Sequence, residues 1–344
     1  MYLRKLFSLL IISYPGLVQS QTNTVSSLTP SPQSDVVVVT KSTPEPAKKN
    51  SSTPATVHIK LLGIVEVKNM KIINGSKDDF SPMYFEDGLL YCSNSRKVKK
   101  GTDPDKIPDD MNLKYALFDS TGQLIKPSSF GKRTNSKTHE GPVCFTRNGD
   151  TMFLTRNMSK GGIDKKSKNG LYTLKIYLKT RDSLGNFLGD KLLPFELENY
   201  SYCHPTISPD GKRLFFSSNI PGGFGGMDLY MIRKITDSTW TAPINLGARV
   251  NTTLNEVFPH FSENGILYFA SNGQHKGKGG LDIYGIELDK RNGAATSLGE
   301  PFNTVGDDFG LIFLPNNPKK GFFSSNRIGG LGGDDIYKFE EKEE

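Results

Sequence analysis

The sequence predicts an all-β fold, a five-bladed β-propeller closed by its N-terminal strand, and three observations carry that prediction. One unit of strand, tight turn, strand, loop and strand recurs five times in the 344-residue chain. The composition suits such a unit, since 35 Gly and 20 Pro beside 35% apolar residues describe a turn-rich β protein. The two ends are also complementary: a strand-like segment precedes the first unit, and the last unit stops one strand short.

Taken in order, the chain opens MYLRKLFSLLIISYPGLVQSQ, with Arg4 and Lys5 ahead of a short apolar run and the small residues Val18 and Ser20 at cleavage spacing. The run is too short for a stable membrane anchor, so residues 1–20 read as a cleaved secretory signal. No Cys lies near the cleavage point, which argues against a lipoprotein. The mature chain is expected to be exported, periplasmic or associated with the outer membrane, and not to span a membrane. Residues 21–55 are rich in Ser, Thr and Pro around one patch, VVVV. Such a stretch buries too little apolar surface to offset its ordering entropy, so it reads as a disordered leader outside the fold. The propeller is assigned to residues 56–344.

The first half of the unit reads SPMYFEDGLLYCSN, CFTRNGDTMFLTRN, ISPDGKRLFFSSN, FSENGILYFASN and FLPNNPKKGFFSSN in its five copies. The second half reads KYALFD, GLYTLKI, MDLYMIR, LDIYGIE and DDIYKFE, centred on Tyr115, Tyr172, Tyr230, Tyr284 and Tyr337. Asp-Gly and Asn-Gly supply the positive φ that a tight hairpin needs. The flanking runs LLYC, TMFL, RLFF, ILYF and GFF are apolar throughout, as strands packed on both faces must be. A weaker fourth segment follows in WTAPINLG and TSLGEPFN, giving four strands per unit of a propeller. The fifth copy has no fourth segment, and HIKLLGIVEVKNMKIING (58–75) stands where one belongs. The N-terminal strand is therefore expected to complete the last blade and remove two exposed sheet edges. A sixth blade is the alternative, and would need a further copy of the motif.

Charge and cysteines narrow the function classes. The net charge is +7, of which the signal contributes two, an excess too modest to imply nucleic acid. Cys92, Cys144 and Cys203 are an odd number at unrelated blade positions, so they read as small buried apolar residues rather than a disulfide framework. No Ser-His-Asp order, nucleophile elbow or metal-spaced histidine set occurs, and no cofactor or metal is expected.

Three constellations are candidates for binding. Glycine-rich loops GGFGGMD, GKGGLD and GGLGGDD link the second and third strands of the last three units. They run into strands rather than helices and lie too far apart to stack as a calcium β-roll, so they read as chain reversals whose Asp bonds loop backbone. Longer inserts in the first two units gather Arg96, Lys97, Lys99, Lys100, Lys160, Lys165, Lys166 and Lys168 on the same face as Lys276, Lys278 and Arg327. That face is a candidate docking surface for an acidic protein surface or an anionic glycan, against a plain solvated surface. Nine residues before each turn sit Asp79, Glu140, Tyr202, Glu256 and Asp308, a candidate ring at one mouth of the channel. Clustered carboxylates raise one another's pKa or recruit a cation, while a repeated acid also suits the capping of backbone donors.

The string SPDG…FFSSN…GGFGGMDLY, followed by W-x-x-P-x-N-L-G and N-E-x-x-P, resembles the TolB-like Pro-Asp repeat propellers. The resemblance is nearest to the PorE-type envelope proteins of Bacteroidota, which are related to type IX secretion. It covers the folded region and is strongest in blades three to five. The sequence departs from that type in showing neither the helical repeat before the propeller nor the OmpA-like domain after it, so peptidoglycan anchoring is not implied. The resemblance implies a non-catalytic interaction module that meets an envelope or outer-membrane protein of secretion or gliding machinery. The alternative is a propeller that binds or hydrolyses glycans through the channel-mouth carboxylates.

Overall fold

The structure, a computed structural model, describes residues 64–95, 110–131, 134, 138–160, 163–236 and 239–342. The expected signal and leader lie outside these residues. Five antiparallel four-stranded sheets form. The first four follow chain order: Asp79–Phe85 to Ser128–Ser129, Glu140–Phe145 to Phe187–Leu192, Tyr202–Ile207 to Ile244–Asn245, and Glu256–Phe261 to Thr296–Ser297. The fifth holds Asp308–Leu314, Asn317–Ser325 and Asp335–Lys342, with Ile64–Asn69 as its outer strand. The first strand of each sheet touches the first strand of the next in a closed cycle, which makes a five-bladed propeller.

Closure takes the expected form. Ile64–Asn69 runs antiparallel to the last strand, with Val67 opposite Phe339 and Asn69 opposite Tyr337. The joint is reinforced by a side-chain amide. Asn74 accepts from the Ile336 N–H and donates to its carbonyl, both at 2.9 Å. Asn251 clamps Leu229 and Asn303 clamps Ile283 in the same two-sided way within blades three and four. The N-terminal segment thus supplies the half-unit that the last copy lacks, including its amide clamp.

The hairpin turns follow local backbone chemistry, with one adjustment. Gly149, Gly211 and Gly265 carry the positive φ in blades two to four, as the Asn-Gly and Asp-Gly pairs predict. In blades one and five the left-handed residue is instead Glu86 or Asn316, two places and one place before Gly88 and Asn317. Gly88 is needed for space, because a Cβ there would stand 2.6 Å from the Ala116 carbonyl oxygen.

Each innermost strand carries a register shift shortly after its first residue. At the same place Ser81, His204, Phe258 and Gly310 adopt positive φ, and blade two places Pro142 there, whose ring forbids it. A left-handed Phe is a costly conformation, and here it accompanies an aromatic plug at the axis. Phe258 stacks on His204 with ring centres 3.8 Å apart and meets Phe309 at 4.5 Å and Phe80 at 6.4 Å. What remains of the channel here is a hollow of about 20 Å³, room for one water. The plug separates the two mouths of the channel. Cys92, Cys144 and Cys203 are buried and unpaired with one another, and burial pushes the Cys144 and Cys203 thiols upward.

Candidate functional site

The five ring residues open the five innermost strands, and all are buried to 1% exposure or less. The side chains of Asp79, Tyr202, Glu256 and Asp308 turn into their own entry loops. Asp79 accepts from the Gly75 N–H at 2.7 Å and from Ser95 Oγ at 2.9 Å. Glu256 accepts from the Thr252 N–H at 2.8 Å and from the hydroxyls of Thr252 and Ser271, each at 2.7 Å. Asp308 takes the Thr304 N–H at 2.6 Å, the Thr304 hydroxyl at 2.8 Å and Arg327 Nη2 at 2.7 Å. Each of these acids therefore caps the amide four residues before it. Burial raises the Asp79 and Glu256 carboxyls above the usual range, partly offset by those bonds. Tyr202 plays the part without a charge: its Oη accepts from the Leu197 N–H at 3.0 Å. Asp79, Glu256 and Asp308, so engaged, hold loops at the entry to the strands, although Asp79 Oδ1 is buried with no hydrogen-bond partner among the described residues.

The glycine-rich loops hold the seams between blades as well as reversing the chain. Asp228 accepts from the Phe224 and Gly225 amides at 2.6 and 3.1 Å, and Asp282 from those of Lys278 and Gly279 at 2.7 and 3.1 Å. Asp335 does the same for Leu331 and Gly332. The next glycine reaches across: Gly226, Gly280 and Gly333 donate to the carbonyls of Leu254, Gly306 and Lys77, each entering the following blade. A Cβ on Gly225 would lie 2.5 Å from the Leu254 carbonyl oxygen, so glycine is required here by close approach.

The lysine-bearing face is less uniformly free than its sequence suggests. Arg96, Lys97, Lys99 and Lys100 lie outside the described residues, as does the side chain of Lys160. Lys165 pairs with Glu198 at 3.0 Å and Lys278 with Glu300. Lys166 lies over the Tyr172 ring, and Lys168 and Lys276 are exposed. Arg327 does not stand on this surface with them. Its guanidinium is largely buried and bonds Ser325 Oγ, the carbonyls of Pro301 and Phe302, and the Asp308 carboxylate. It is a buttress between strands, because a carboxylate buried at Asp308 needs a counter-charge.

The cavity that the sequence did not mark lies on the opposite face, where the first and second strands of each blade turn. Beyond the aromatic plug the channel widens into a funnel of about 270 Å³ to which all five blades contribute. Its partly exposed wall is Met83, Tyr84, Phe145, Ile207, His260 and Phe313. Phe313 packs on Tyr268 at 4.8 Å and on His260 at 6.1 Å. Arg147, Glu263, Asn264, Asn316 and Asn317 form a polar rim. Burial pushes the His260 imidazole down to about 4, so it is neutral at pH 7. Tyr84 Oη and His260 Nδ1 are buried with no hydrogen-bond partner among the described residues, unusual for native polar groups. Aromatic walls under a rim of amides and opposite charges suit a small ring-shaped molecule with polar edges. The signal for this site was the residue five places after each ring position, Tyr84, Phe145, Ile207, Phe261 and Phe313, which the same alignment of copies puts near the far mouth.

No protein-family model and no curated protein sequence matches the chain. Solved structures do. The chain is similar to a thermostable family-43 glycoside hydrolase at 13% identity and TM-score 0.46, covering 78% of this chain and 91% of that one. An endo-arabinase from Bacteroides thetaiotaomicron is 12% identical with TM-score 0.46, over 79% and 95% of the two chains. TolB from Acinetobacter baumannii is 13% identical with TM-score 0.39, over 78% of this chain, which spans about 55% of TolB. Likenesses this distant add nothing finer to the propeller fold that the five closed sheets show. They correct one expectation all the same. The resemblance implies a non-catalytic module, yet several of the structures the chain is similar to are glycoside hydrolases.

Proposed function

We propose that this propeller recognises carbohydrate, taking one sugar ring into the funnel on its first-turn face. One observation carries the reading: a cavity of about 270 Å³ on the propeller axis, walled by aromatic side chains and rimmed by amides and a charge pair. Its size falls just under the roughly 300 Å³ at which drug-sized sites begin, which suits one ring rather than a long ligand. Aromatic faces cover the apolar face of a pyranose, while the rim bonds its hydroxyls. The apolar N-terminal run and the Pro-Asp repeat pattern support placing this activity in the cell envelope, in company with PorE-type secretion components. The exposed lysines on the far face, Lys168 and Lys276 among them, would then meet an acidic envelope partner.

The test is a binding screen of the full chain against neutral oligosaccharides, with Phe313→Ala and Tyr84→Ala as funnel variants. Binding lost in those variants supports the reading. Binding that survives both removes the funnel from it. The same mixtures are followed for shortened products, and their release would make the propeller a hydrolase.

A further inference from the structure

We infer that Arg147 and Glu263 act as a clamp for a vicinal diol, which makes the occupant of the funnel a neutral sugar with two adjacent free hydroxyls. The inference rests on the carbohydrate reading above and specifies its ligand. Arg147 belongs to the turn of blade two and Glu263 to that of blade four, yet their side chains meet, with Nη1 and Oε2 3.6 Å apart. Both line the funnel. The pair therefore links two non-adjacent blades at the mouth.

Three features distinguish it from an ordinary surface ion pair. The separation exceeds the 2.7–2.9 Å of a charge-assisted hydrogen bond, so neither group is saturated by the other. Both side chains are well exposed, at 67% and 60%, so the pair opens at little cost and its remaining donors and lone pairs face water. The backbone beneath each is held rigid: Thr146 Oγ1 bonds Asn148 at 2.7 Å, and Ser262 Oγ bonds Asn264 at 2.6 Å. A guanidinium only donates and a carboxylate only accepts. Set side by side, they match a diol in which one hydroxyl oxygen accepts from Arg147 and its neighbour donates to Glu263.

The charges also discriminate. Arg147 alone would favour an acidic sugar, but a uronate carboxylate seated on it would lie against Glu263, and like charges at that distance repel. A neutral sugar meets both groups favourably.

The experiment titrates methyl glucoside, methyl galactoside and methyl mannoside, their 2-, 3- and 4-deoxy forms, and methyl glucuronide into the full chain by calorimetry and saturation-transfer NMR. Wild type is expected to bind at least one neutral glycoside more tightly than the glucuronide, with about tenfold loss for one adjacent pair of deoxy forms. Glu263→Gln is expected to weaken neutral binding about tenfold and narrow the gap to the glucuronide, and Arg147→Met to weaken both. Neither exposed substitution should move the thermal midpoint appreciably. If neutral glycosides bind and depend on Phe313 but not on Arg147 or Glu263, the clamp is overturned and the carbohydrate site stands. Tighter binding of the glucuronide also overturns the clamp. If wild type binds no glycoside, both fail together.

Discussion

Gly332 in the last loop and Lys77 ahead of the first blade are in van der Waals contact across the closure of the ring. A Cβ on Gly332 would stand 1.7 Å from the Lys77 carbonyl oxygen, while the neighbouring Gly333 N–H donates to that same oxygen at 3.0 Å. The obstacle is backbone, which has nowhere to rotate. Gly332→Ala is therefore expected to lower the unfolding free energy by about 1–3 kcal/mol, seen as a lower urea midpoint. An unchanged midpoint would mean that the two ends are not in contact.

Asn74 tests the closure from the other strand. Its amide bonds both backbone groups of Ile336, which is fully buried. Asn74→Ala leaves a buried donor and acceptor unmet and should cost on the order of 1–3 kcal/mol. Amide exchange should accelerate in residues 335–342 before it does in blade three, because the loss falls on the joint. Asn251→Ala should give a similar cost with the order of exchange reversed.

Acid should expose the plug. Burial pushes His204 down from 6.5 to about 3, and its Nδ1 accepts from the Phe258 N–H at 3.4 Å, a bond that protonation removes. Because the folded value lies below the unfolded one, the unfolded state binds more protons between about pH 3 and 6.5. The contribution is complete above 6.5 and is lost as pH falls toward 3. At pH 5 the loss amounts to about 2 kcal/mol. His204→Asn keeps a neutral side chain that tolerates the positive φ, so its stability should fall less steeply with acid than that of wild type. Parallel acid profiles for the two proteins would refute a neutral buried His204. The comparison is differential because buried carboxyls such as Glu256, raised rather than lowered, act with the opposite sign.

Glu256 separates structure from chemistry. Its three hydrogen bonds tie the entry loop of blade four, at Thr252, to the end of the blade's second strand, at Ser271, so Glu256→Gln should destabilise by about 1.5–3 kcal/mol. Ligand binding in the funnel, on the far side of the plug, should be unchanged at a temperature where the variant is folded. A large loss of binding with intact stability would place the ligand at the carboxylate mouth instead.

The fold was legible because its cues are local and repeated. Asn148-Gly149, Asp210-Gly211 and Asn264-Gly265 each fix a hairpin, and the missing fourth segment after Tyr337 points to its substitute at 58–75. The ring positions were also legible, since their spacing to the turn never varies. Their orientation was not. That Glu256 and Asp308 face Thr252 and Thr304 depends on where the chain enters the blade, which the sequence shows only as the Thr-x-x-x-acid spacing of these two copies. The funnel was harder still. Met83, Phe145, His260 and Phe313 differ in type, lie far apart in sequence, and converge only once five sheets close around the axis. Arg327 illustrates the same limit, because its burial follows from Pro301 and Phe302 packing beside it, a contact between segments 25 residues apart.

Affinity of the full chain for neutral glycosides, compared between wild type and Phe313→Ala, tests the central claim most directly. The account predicts saturable binding to wild type and at least a tenfold loss in the variant, with an unaltered fold. Equal affinity in the two proteins, or loss only when lysines of the opposite face are neutralised, would contradict it.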